Sequence, residues 1–111
     1  MTNIKIYKRD LNYMGFESKG HADYEDGEYD IVCAAISILT QTLYFNLIDN
    51  CNIADSSIDS KQDEGYLKIL LKDNVENNEG VQNSFNFMIK GLELLKAQYS
   101  KYFKLEIMEV Q

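Results

Sequence analysis

Asp30-Ile31-Val32-Cys33-Ala34-Ala35-Ile36-Ser37-Ile38-Leu39 is the stretch whose reading decides the fold. It breaks abruptly from an acidic, aperiodic run, and its apolar character continues through Leu43, Phe45, Leu47 and Ile48. Apolar residues around most of a 3.6-residue turn over such a length predict a long helix buried at the centre of the molecule. Asp30 is placed to be its N-cap, its carboxylate accepting from N–H groups of the first turn, and Cys33 then falls at the third helical position.

Working outward toward the N-terminus, Ile4 and Ile6, and Leu11 after a break, alternate with Lys5, Tyr7 and Lys8. This predicts a half-buried strand to about Arg9, a turn over residues 10–12, and an antiparallel strand over residues 13–18. That strand delivers Lys19, Gly20 and His21 at its exit. Residues 22–29 are acidic, contain a glycine and show no apolar period, so they predict a mobile loop able to act as a lid.

Toward the C-terminus, residues 49–63 are polar and predict a loop anchored by Cys51, Ile53 and Ile58. Gly65 then introduces a strand over residues 66–72. Val81, Phe85, Met88, Leu92, Leu95 and Tyr99 form one stripe at helical spacing. Phe103, Leu105, Ile107 and Val110 alternate as a closing strand. The predicted order is β-β-α-β-α-β, an α+β domain over residues 1–111 with one mostly antiparallel sheet and two long helices packed across it. Because the first helix is apolar on nearly all sides, one sheet face and one neighbouring helix leave part of it uncovered, which predicts a homodimer.

The 111 residues suit a single domain with one core. Eighteen acidic residues against 11 basic ones give a formal charge of −7, so direct nucleic-acid binding would have to work against the overall field. No stretch reads as a bilayer span or a signal peptide, and no membrane association is expected. A cytoplasmic location follows from that reading. Cys33 and Cys51 are then reduced thiols, and no structural disulfide is expected. One histidine and no C-x-x-C pattern predict no metal site.

The residues able to carry chemistry are few. His21, the single histidine, follows Gly20 at a strand exit, one loop before Cys33 at a helix start. A thiolate is the attacking form of cysteine, and both a helix N-terminus and a nearby imidazole favour it. Gly20 allows a backbone conformation closed to other residues, which helps to aim the imidazole. His21 can take the thiol proton and return it to a leaving amine, and first-turn N–H groups can donate to an oxyanion. Asp30, Cys33 and Ser37, three and four residues apart, project from one helix face. Ser37 can then bond near the sulfur or to substrate, while Asp30 either caps the helix or orients His21. Taken alone, a cysteine inside IVCAAIS is as a rule a packing residue, and Asp30 and Ser37 have ordinary structural readings as a cap and a back-bonded hydroxyl.

Gly20-His21-Ala22 followed by Asp30-Ile31-Val32-Cys33-Ala34-Ala35-Ile36-Ser37 resembles the two-part signature of the bacterial ribosomal-processing cysteine protease (Prp) family. Gly15-Phe16, Gly65-Tyr66-Leu67 and Tyr99 agree with it as flanks. The resemblance implies a homodimeric cysteine peptidase that removes the N-terminal extension of large-subunit ribosomal protein L-twenty-seven, cutting after an aromatic, hydrophobic stretch. It implies His21 and Cys33 as the catalytic pair, Gly20, Asp30 and Ser37 as accompanying motif residues, and residues 22–29 as a cover over the site. No metal or organic cofactor is expected. Asp23, where a small residue is common, and Ser100, in place of proline after Tyr99, depart from the pattern. Two other classes fit the same residues: a non-catalytic dimeric adaptor for a ribosomal protein or assembly factor, and a redox-sensing thiol, for which no resolving cysteine is close in sequence.

Overall fold

The computed structural model describes residues 1–21 and 30–111. The acidic cover expected over residues 22–29 lies outside the described residues. Strands β1 (Thr2–Arg9) and β2 (Asn12–Lys19) are followed by helix α1 (Ile31–Asp49), strands β3 (Ile58–Asp63) and β4 (Tyr66–Leu71), helix α2 (Glu79–Gln98) and strand β5 (Phe103–Glu109). The five strands form one sheet in the order β3-β4-β2-β1-β5. Only the β1–β5 pair is parallel. The fold is therefore α+β, with two long helices across a mostly antiparallel sheet.

Both helices are crossovers. Two antiparallel steps separate β2 from β3, so α1 carries the chain back to run in the same direction; α2 does the same between β4 and β5. The strands present alternate residues to the helices: Ile4, Ile6, Phe16 and Ile69 are all buried, and they meet Val32, Leu47, Val81, Phe85 and Leu92 in one core. Each such side chain contributes about 1.5–3 kcal/mol by leaving water. The predicted α2 stripe is realised, with Val81, Phe85, Met88 and Leu92 buried and Leu95 and Tyr99 packed at its end.

Two expectations need correction. The polar segment expected as a loop over residues 49–63 contains β3, whose side chains are exposed except at Ile58. It is an edge strand whose polar, charged residues keep the sheet from pairing further, so no period-two apolar pattern marks it. Leu11 sits in the β1–β2 turn, within the turn expected over residues 10–12, and is 88% exposed. The second concerns α1, which is left partly uncovered, as expected. Val32, Ile36, Thr40, Leu43 and Leu47 face the core, whereas Ile38 and Phe45 are exposed. The sheet and α2 cover only part of its circumference. By length and composition, however, α1 matches a bilayer span, with a mean hydropathy of 1.8, where no such stretch is expected. In the fold that apolarity serves the core on one side and an uncovered stripe on the other. Thr40, buried on the core side, satisfies its hydroxyl by donating to the Ile36 carbonyl at 2.9 Å.

Candidate active site

The site is built where α1 starts over the ends of β1 and β2. Asp30 is extended, with φ −123° and ψ 113°, and its Oδ1 accepts from the N–H groups of Val32 at 2.9 Å and Cys33 at 3.1 Å. This is the predicted N-cap, and it sets Cys33 in the first turn, at the positive end of the helix dipole. The same two bonds occupy the Val32 and Cys33 N–H groups, so these two of the first-turn donors are engaged for as long as the cap is made.

Gly20 ends β2 with φ 102°, and a Cβ on it would stand 2.7 Å from the Met1 carbonyl oxygen, so a larger residue would need the β1 start to move. Its N–H donates to the Gly65 carbonyl at 2.8 Å, tying the exit of β2 to the two-residue turn between β3 and β4. His21 follows immediately. Its imidazole lies against Gly65, where an added Cβ would come within 2.8 Å of Nε2 and 3.1 Å of Cε1. Gly65 itself has φ 65°, a left-handed conformation suited to the tight turn.

His21 and Cys33 line one cleft of about 300 Å³. Ile36, Ser37, Thr40 and Gln41 extend the α1 wall; Thr2, Ser18, Gln62, Gly65 and Leu67 stand opposite on the sheet. Of the residues singled out from sequence, Gly20, His21, Cys33 and Ser37 are brought together here, whereas Asp30 stands behind as the cap. Ser37 accepts from Gln41 Nε2 at 3.0 Å. Gln41 is not among the residues expected from sequence, although it continues the Cys33–Ser37 spacing by another four residues. Gly65 is expected from sequence as a strand opener and motif flank, with nothing to place it against His21. Thr2 carries no signal in the sequence: it is 2% exposed, and its Oγ1 has no hydrogen-bond partner among the described residues.

On the sheet's other face the Tyr66 hydroxyl donates to Glu17 Oε2 at 2.8 Å, and this bond, followed by burial, raises the Tyr66 pKa above its ordinary value. Tyr7 is raised too, chiefly by burial and then by the Glu17 charge. A larger, more apolar cavity of about 490 Å³ lies between α1 and α2 and contains Cys51. Cys51 Sγ is 3.8 Å from Ser84 Oγ, and among the described residues no acid or base lines that cavity to take a thiol proton. Neither cysteine is in a disulfide.

A thiol at a helix start and an imidazole lining one cleft are the two groups that thiol-based acyl transfer calls for. The family model described as Cysteine protease Prp matches residues 1–104, and the chain belongs to that family of cysteine proteases. Among solved structures, the chain is similar to the essential ribosomal processing protease Prp from S. aureus in complex with a covalently linked product peptide, at 23% identity over 97% of this chain and 100% of that one, with a TM-score of 0.84. It is also similar to SMU.848 from Streptococcus mutans, at 29% identity over 99% of this chain and 96% of that one, with a TM-score of 0.85. The S. aureus protease in complex with a substrate peptide matches at 22% identity over 97% and 100%, with a TM-score of 0.82. No curated protein matches the chain in sequence.

Proposed function

We propose that this protease removes the N-terminal extension of large-subunit ribosomal protein L-twenty-seven, with Cys33 as nucleophile and His21 as its proton acceptor. The observation that carries the proposal is that the chain's single histidine lines the same cleft as the first-turn cysteine of α1. His21 takes the thiol proton as Cys33 sulfur attacks the scissile carbonyl carbon. It returns the proton to the leaving amine as the C–N bond breaks, leaving a thioester to Cys33. Water then attacks the thioester with His21 as base, releasing the carboxylate and restoring the thiol. Gly20 aims the imidazole, Asp30 holds the first turn, and Ser37 edges the cleft beside the sulfur.

The enzyme works in the cytoplasm, where its thiol stays reduced, and as a homodimer. Support for the dimer comes from the uncovered face of the helices, where Ile38 is 65% and Phe87 82% exposed. Sedimentation checks this, a species of twice 12.8 kDa being expected.

Incubation with an extended form of the ribosomal protein, followed by intact-mass measurement, tests the activity. The native chain should release the extension, while Cys33→Ala and Cys33→Ser, both folded, should not. Native-like trimming by either variant would end the assignment.

A further inference from the structure

The cleft that holds Cys33 does not end at Gln41. A second hollow of about 170 Å³ shares Gln41, Gln62 and Leu67 with it and continues along α1 to Tyr44, Phe45 and Ser60. Cys33, Ser37, Gln41 and Phe45 recur every four residues, with Tyr44 three beyond Gln41, so they follow one flank of the helix. Ser60 and Gln62 of β3 and Leu67 of β4 form the facing wall. The two hollows make one trough between α1 and the β3–β4 hairpin. Its near end is lined by polar Ser37, Gln41 and Gln62, and its far end by Tyr44, Phe45 and Leu67 beside Ser60. There Tyr44 and Phe45 meet edge to face with ring centroids 5.3 Å apart, and Phe45 is 56% exposed.

We propose that this trough is an extended substrate subsite: the peptide runs along α1 on one side of the scissile bond and seats an apolar side chain against Tyr44, Phe45 and Leu67. The inference rests on the reading of Cys33 as nucleophile, and it is continuous in space with that site. Its reach follows from helix geometry. At 1.5 Å per residue, the hollow between Gln41 and Phe45 lies roughly 12–18 Å along the axis from Cys33. An extended peptide advances about 3.3 Å per residue, so the seated side chain is about the fourth or fifth from the scissile bond. Between the two ends, the amides of Gln41 and Gln62 each carry a donor and an acceptor, the pair of functions that an extended main chain presents.

The test is a set of peptides derived from one cleaved substrate, in which each residue from the second to the sixth position on either side of the bond is replaced in turn by aspartate. Cleavage is followed by mass spectrometry as kcat/KM. On one side only, aspartate at the fourth or fifth position should lower kcat/KM about tenfold or more without moving the cleaved bond. Phe45→Ser should shrink that ratio toward one, and Phe45→Lys should invert it in favour of the aspartate peptide. An even response along the peptide, or an unchanged ratio in both variants with native thermal stability, would overturn the subsite while leaving the peptidase reading intact. A native enzyme that cleaves no parent peptide, or a Cys33→Ala variant that cleaves it, would overturn that reading and this inference with it.

Discussion

The imidazole of His21 rests on Gly65, and even a methyl group at that position would stand 2.8 Å from Nε2. Gly65 is thus part of the seat of the proposed base as well as the corner of the β3–β4 turn. Gly65→Ala must both shift the ring and hold an L-residue at φ 65°, which costs about 1–2 kcal/mol of stability. We expect kcat/KM to fall at least tenfold while the chain still folds, as read by peptide cleavage beside thermal denaturation. Native activity in Gly65→Ala would show that the ring position does not matter.

Asp30 separates two roles experimentally. Asp30→Ala removes the acceptor for the Val32 and Cys33 N–H groups and should cost about 1 kcal/mol. Asn is as good a cap as Asp, so Asp30→Asn should keep both stability and most of the activity. Denaturant unfolding and kcat/KM on the same preparations check this. A folded but inactive Asp30→Asn would assign the carboxylate to orienting His21 instead.

Thr2 is an isosteric test of an orphaned hydroxyl. A buried, unpaired polar group costs about 1–3 kcal/mol, and Thr2 Oγ1 is such a group. Thr2→Val should therefore raise the melting temperature. A fall would show that the hydroxyl is bonded in solution.

The raised Tyr66 pKa gives a signed pH effect. With its proton held by the bond to Glu17 beyond the ordinary value of 10.0, Tyr66 stabilises the fold at lower pH and loses that contribution as pH rises through the raised pKa. The stability difference between the native chain and Tyr66→Phe should be constant from neutral pH to 10.0 and close above it. A difference independent of pH would contradict the Tyr66–Glu17 bond.

What the sequence made legible follows its periodicities. The 3.6-residue stripe of α2, the alternation in β1 and the break at Asp30 each report a one-sided burial, and the structure realises all three. Ile58–Asp63 has no buried side to report, because an edge strand beyond the helices meets water on both faces apart from Ile58. Glu64-Gly65 held the missing signal, a two-residue turn that presupposes a strand before it as well as after. At the site, the motif singled out His21, Cys33, Gly20 and Ser37, but the support beneath them is tertiary. That Gly65 sits under His21, or that Thr2 is buried beside the cleft, depends on which strands are neighbours, and a local pattern does not carry that.

The most direct test of the Cys33–His21 pair is the rate of iodoacetamide alkylation at each cysteine of the folded protein as a function of pH, with sites resolved by peptide mass mapping. If the pair is catalytic, Cys33 is labelled selectively over Cys51 near neutral pH, and His21→Ala slows Cys33 labelling there without changing Cys51. Equal inertness of the two thiols, or a Cys33 profile unaltered by His21→Ala, would contradict the account.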